Sequence, residues 1–200
     1  FSCRVFGSPN YQGHVSFTDV SVENHTMGII DTPLLYEPGG KQELPSCYFE
    51  EDDALLGRKF YFHALPAEGD DLRLCVKDGV ELQAQVHFMN LAISEIGILF
   101  IALGMHPNYR FPIKLGGGKP VGLGSIYIEA DSLLLMRGRK AVSSTGRLAT
   151  SDLYQGDKLT TYVKEATDQS KPLYDAVALE QTAKIYSRAG FRQKAPTDPY

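Results

Sequence analysis

Lys114-Leu115-Gly116-Gly117-Gly118-Lys119-Pro120-Val121-Gly122-Leu123-Gly124-Ser125-Ile126-Tyr127-Ile128 gathers five glycines and two lysines and runs straight into an alternating apolar strand. Glycine tolerates positive φ and lets another backbone come close, so the cluster suits a loop wrapped around something. Successive N–H groups without side chains can line an anion-binding concavity, to which Lys114 and Lys119 would add full charges. The same cluster can equally be a tight turn before a strand, with lysines that point at water. Two nucleotide motifs are excluded. A P-loop needs a glycine five residues before its Gly-Lys pair and a Ser or Thr after it, where this chain has Ile113 and Pro120. G-x-G-x-x-G also fails, because Gly116-x-Gly118 leads to Val121 and Gly122-x-Gly124 leads to Tyr127. Both motifs run strand–loop–helix, whereas the order here is helix–loop–strand.

The helix before the loop is legible. Ser94 reads as its N-cap, Glu95 suits the first turn, and Ile96, Leu99, Phe100 and Leu103 recur at helical spacing. Gly104 is a natural stop. Further upstream, Val15 and Phe17 alternate with Ser16 and Thr18 in a strand, and Arg58 to Ala64 is aromatic-rich and strand-like. Leu72, Leu74 and Val76 mark another strand and Leu82 to Phe88 a further one, with Asp78-Gly79 placed to join them as a hairpin. Residues 21–53 show no sustained periodicity and read as a long irregular excursion.

After the loop come a strand from Ser125 to Ala130 and apolar Leu133 to Met136. Residues 137–150 are polar and rich in Gly and Ser, as in a linker. Leu159, Tyr162, Val163 and Ala166 indicate a short helix, and a second runs from about Lys171 to Arg188 with Pro172 in its first turn. The expected fold class is α+β: one domain over 1–136, then a linker and a helical C-terminal extension over 137–200.

Two hundred residues are enough to bury a sizeable core. Ile93 to Met105 is the longest apolar stretch and falls short of a membrane span. Phe1 is not preceded by a basic n-region or an initiator Met, which reads as a fragment of a longer protein without a signal peptide. Cys3, Cys47 and Cys75 are widely spaced and odd in number, so neither a disulfide framework nor a zinc site is indicated. Buried thiols in a reducing cytoplasm fit better. No cofactor is implied.

The net charge of −4 argues against indiscriminate coating of nucleic acid. Its distribution is uneven. From Pro107 to Arg147 the basic residues Arg110, Lys114, Lys119, Arg137, Arg139, Lys140 and Arg147 face only Glu129 and Asp131, while acidic residues gather at Glu50 to Asp53 and at Glu68, Asp70 and Asp71. A basic patch on a mildly acidic protein suits a specific polyanion site, and it also suits a solvated surface.

Three stretches together resemble the RAMP superfamily of CRISPR-associated proteins. Cys3-Arg-Val-Phe-Gly-Ser-Pro…Gly13-His-Val-Ser-Phe-Thr-Asp19 is similar to that family's "LFG…G-x-V-x-F-S-D" segment. Phe88-Met-Asn-Leu-Ala-Ile-Ser-Glu95-Ile-Gly-Ile-Leu is similar to its "F-x-N-L-S…E-L-G-x-L" junction, and Leu115 to Gly124 to its "GGGK-x-x-G-x-G" loop. Leu56-Gly57-Arg58-Lys59-Phe60-Tyr61 adds a match to larger RAMP-domain proteins.

The resemblance implies a ferredoxin-like (RRM-like) domain, incomplete at its N-terminus because this chain starts at the "LFG" segment. It also implies a cytoplasmic CRISPR RNA-binding subunit that works beside other Cas protein subunits and away from membranes. The catalytic aspartate of target-cleaving members would lie upstream of Phe1, so no position here inherits it. Asp19 matches a residue read as structural.

The expected RNA contacts are Lys119 first and then Lys114, with Gly116, Gly117, Gly118, Gly122 and Gly124 shaping the loop. Arg58 and Lys59, beside Tyr61, could supply charge and a stacking surface for unpaired bases, or pack as ordinary core aromatics with snorkelling basic neighbours. The alternative function is a metal-independent endoribonuclease. It would need a general base and a general acid, for which His14, His63, His87 and His106 are the candidates.

Overall fold

The computed structural model describes residues 2–35, 61, 63–136 and 151–186. In chain order the elements are α1 (Ser2–Phe6), β1 (Val15–Phe17), β2 (Met27–Thr32), β3 (Asp71–Val76), β4 (Val86–Phe88), α2 (Ile93–Ala102), β5 (Ile113–Lys114), β6 (Ser125–Ile126), β7 (Leu133–Leu135), β8 (Asp152–Tyr154), α3 (Gly156–Gln169) and α4 (Ala176–Ile185). The fold is α+β. Among the described residues the strands pair two by two, as β1–β4, β2–β3, β5–β6 and β7–β8. Contacts divide the chain into two compact units. One comprises residues 1–21, 82–113 and 127–184, and the other residues 22–81, 114–126 and 185–200.

The first unit is built on the crossing of α2 and α3. Ile96 and Phe100 of α2 meet Leu159, Tyr162, Val163 and Ala166 of α3, and Leu133 of β7 completes the buried cluster. On α3 these positions recur every three or four residues as one stripe, whereas α2 also buries Gly97, Leu99 and Ile101 and is covered on more than one side. Gly97 lets the helices come close, because a Cβ there would run into the Ala166 carbonyl and Ser170 Oγ. Ser170 Oγ in turn lies 2.6 Å from the Ser94 carbonyl oxygen. The same core therefore draws residues from both sides of position 136.

The start of α2 differs from expectation. Its N-cap is Ala92, and Ser94 lies inside the first turn. The capping comes from Glu95, whose Oε2 accepts the Ala92 N–H at 2.8 Å. That is the carboxylate half of a capping box, without a hydroxyl at the N-cap. Gly104 stops the helix as expected, at φ +73°.

Strand pairing corrects two further expectations. Asp78 and Gly79 do form a turn, yet the strands on either side of it do not pair with each other. β3 pairs antiparallel with β2, Ile29 opposite Leu74, and β4 pairs antiparallel with β1, Ser16 opposite His87. β2 thus lies inside the stretch expected to be irregular. It escapes a periodicity search because Gly28 and Asp31 interrupt its apolar pattern. β4 and β6 are shorter than their apolar runs, and His63 and Ala64 are not in a strand. The last helix is also shorter, because Pro172 sits in a separate 3-10 turn at Lys171–Leu173 ahead of α4. The linker at 137–150 and the C-terminal tail beyond residue 186 lie outside the described residues.

Candidate nucleic-acid interface

The glycine loop belongs to the second unit and is anchored from within. Leu115 N–H donates to Gly124 O at 2.8 Å, which closes its neck. Lys119–Val121 forms a 3-10 turn whose N-cap, Gly118, takes φ +67° and whose C-cap, Gly122, takes φ +97°. Val121 is fully buried and packs on Ala67, with Ala64, Leu123 and Leu35 around them. Val121 O accepts the Ala67 N–H at 3.0 Å. The loop is therefore held on the His63–Ala67 segment by one apolar plug and one backbone bond. An isolated valine between Pro120 and Gly122 was the sequence signal for that plug.

The five glycines do two different jobs. At Gly122 a Cβ would stand 2.6 Å from Leu65 O, and at Gly118 it would stand 2.6 Å from Leu123 Cδ1. At Gly124 it would collide with Leu115 O. Those three let parts of the protein approach each other. Gly116 and Gly117 are exposed, and a Cβ on either would meet nothing. Among the described residues, the N–H groups of Gly116 and Gly117 have no acceptor.

The two lysines also part company. Lys119 is partly exposed, and among the described residues its ammonium has no ion pair or hydrogen bond. Lys114 is turned inward, and its Nζ donates to Gly122 O at 3.2 Å and to Leu123 O at 2.9 Å. Burial pushes its ammonium down to about 8. The two carbonyl acceptors favour the charged form, so burial is the larger influence. Two of the three N–H donors of Lys114 are thus engaged within the loop.

Arg58 and Lys59 lie outside the described residues, as do Arg137, Arg139, Lys140, Arg147 and the acidic run Glu50 to Asp53. Arg110 is engaged with Ile128 O at 3.1 Å and Glu129 at 3.4 Å.

The four candidate histidines differ in their surroundings. In the first unit, His14 Nδ1–H donates to Met89 O at 2.8 Å, which leaves Nε2 to accept the Tyr11 hydroxyl at 2.8 Å. His106 is buried, and its Nδ1 accepts the N–H groups of Asn108 and Tyr109, both at 3.2 Å. Burial lowers its pKa, and Lys171 adds to that while Asp168 opposes it. His87 is exposed on β4. In the second unit, His63 is buried with Nδ1 2.9 Å from Ser125 Oγ and its ring edge-on to Tyr186. Such partners are those of packing histidines. Among the described residues no cluster of His, Cys, Asp and Glu could hold a metal ion, and no helix is long and apolar enough to cross a membrane.

Two of the motif stretches, distant in sequence, meet in the first unit. β1 pairs with β4, and Arg4 Nε donates to Glu95 at 2.7 Å while its Nη2 donates to Asn90 O at 2.6 Å. Gly13 fits under the Phe6 and Gly7 backbone, where a Cβ would stand 2.6 Å from Gly7 N. Comparison of the chain with protein-family models, curated proteins and solved structures found no match.

Proposed function

We propose that this chain is a CRISPR RNA-binding subunit of an RNA-guided antiviral defence complex, and that the loop from Leu115 to Gly124 holds the RNA backbone. The observation that carries the reading is the exposed apex. Gly116 and Gly117 offer backbone N–H groups without side chains and, among the described residues, without acceptors, and Lys119 follows two residues on in the same loop. Backbone donors and lysines hold phosphates and position a strand without reading its bases. The three motif resemblances supply the biological setting: a ferredoxin-like RAMP domain, cytoplasmic, assembled with other Cas protein subunits. The contacts of Arg4 with Asn90 and Glu95 support it, because they give the matched residues a shared structural purpose.

The test is fluorescence anisotropy of the chain with labelled CRISPR-repeat RNA and with unrelated single-stranded RNA, over a range of salt. The expected result is binding to both that weakens linearly in log Kd against log salt. Absence of binding to either RNA at low salt would overturn the reading.

A further inference from the structure

The geometry points to Lys114 as a positioning residue, which fixes the glycine loop in its RNA-holding shape from the inside and makes no phosphate contact itself. This rests on the reading of the loop as an RNA clamp.

The neck bond from Leu115 N–H to Gly124 O ties only the ends of the loop. Between them, Gly116, Gly118 and Gly122 all sit at positive φ, where a glycine has little steric preference for one conformation over another. A loop of that composition needs ties beyond its own backbone if its N–H groups are to stay aimed. Lys114 supplies two, bonding successive carbonyls at Gly122 and Leu123 from the strand that opens the loop.

Those carbonyls belong to the half of the loop that returns from the 3-10 turn, so the ammonium braces one limb against the other. Gly122 is itself buried against Leu65, which leaves its carbonyl few alternatives. Two of the three Lys114 N–H donors are spent on these carbonyls and hold the ammonium inward, whereas Lys119 has no partner among the described residues. Charged donors make the stronger hydrogen bonds, which is why a lysine serves here better than a neutral side chain. Preorganisation of this kind raises affinity by sparing the cost of ordering the loop on binding.

The experiment compares Lys114→Met, Lys114→Arg and Lys119→Met in the 200-residue chain. It reads RNA affinity against salt, and amide hydrogen exchange of Val121 to Leu123 in the free protein. Lys114→Met keeps the aliphatic stem and removes the donors. It is expected to weaken RNA binding about tenfold at fixed salt, to leave the salt slope unchanged, and to speed exchange at Val121 to Leu123. Lys119→Met is expected to lower the slope by roughly 0.7 without changing free-state exchange. Lys114→Arg, which can reach the same carbonyls, is expected to restore affinity and protection even if the Met variant folds poorly.

A slope change in Lys114→Met equal to that of Lys119→Met would overturn the inference, as would unchanged affinity and exchange in Lys114→Met. Loss of protection in Lys114→Met with no effect of any variant on RNA affinity would overturn the RNA clamp while leaving the brace in place.

Discussion

Arg4 Nε and Glu95 Oε1 stand 2.7 Å apart across 91 positions of sequence, and Glu95 also takes the N–H of Ala92 at the start of α2. One carboxylate thus caps a helix and fastens the N-terminal segment to it. Replacing Glu95 with Ala should cost about 1 kcal/mol of stability through the cap alone, read as a lower urea midpoint. The Arg4 guanidinium holds the Glu95 carboxyl below its usual range. The contribution is therefore full above the ordinary carboxylate value near 4.5 and is lost as pH falls through the lowered one. A Glu95→Gln variant should show less acid sensitivity in that window than the parent.

His106 gives the protein a second pH dependence, at milder acidity. Its Nδ1 accepts two main-chain N–H groups, so a proton there would break both bonds. The folded value lies below the unfolded 6.5 because of burial. Stability should hold above pH 6.5 and fall as pH drops from there toward the lowered value. An Asn side chain can accept from the same N–H groups and does not titrate. His106→Asn should therefore flatten the decline, measured as melting temperature against pH.

Gly97→Ala probes the crossing of α2 and α3. The added methyl would meet the Ala166 carbonyl and the Ser170 hydroxyl, and overpacking of this kind costs about 1–3 kcal/mol. Circular dichroism against urea should show the loss. An unchanged midpoint would mean that the two helices do not approach as closely as described.

Glycine substitutions separate shape from binding within the loop. Gly122→Ala meets Leu65 O at 2.6 Å and a φ of +97°, a combination expected to cost about 1–3 kcal/mol. Gly117→Ala meets nothing and should leave the melting temperature unchanged. Its methyl nevertheless stands where a phosphate would come to the N–H groups, so RNA affinity should drop. Loss of stability without loss of affinity in Gly117→Ala would be the wrong pattern for a clamp.

Much of this is legible in the sequence alone. The alternation of Val15 and Phe17, the helical spacing of Ile96, Leu99 and Phe100, and that of Leu159, Tyr162, Val163 and Ala166 each name an element that forms. The helical ones succeed because a buried helix face imposes its period, whereas β1 forms with Val15 only half-buried and Phe17 exposed. Partner choice was not legible. The Asp78-Gly79 turn forms, yet β3 takes a partner from the other side of residues 33–70, and nothing local to a strand records that preference.

Side-chain direction was equally hidden. Lys114 and Lys119 are the same residue type five positions apart in one loop, and only the carbonyls of Gly122 and Leu123 distinguish the brace from the cation that has no partner among the described residues. Ser94 looked like a cap, but Ala92 already occupies that position and the capping carboxylate belongs to Glu95.

The claim that the glycine loop grips the RNA backbone is tested most directly by amide hydrogen exchange with and without single-stranded RNA. The account predicts that adding RNA slows exchange at Gly116, Gly117 and neighbouring loop amides, in the parent chain and irrespective of RNA sequence. Protection confined to other segments, with those amides exchanging as fast as in the free protein, would contradict it.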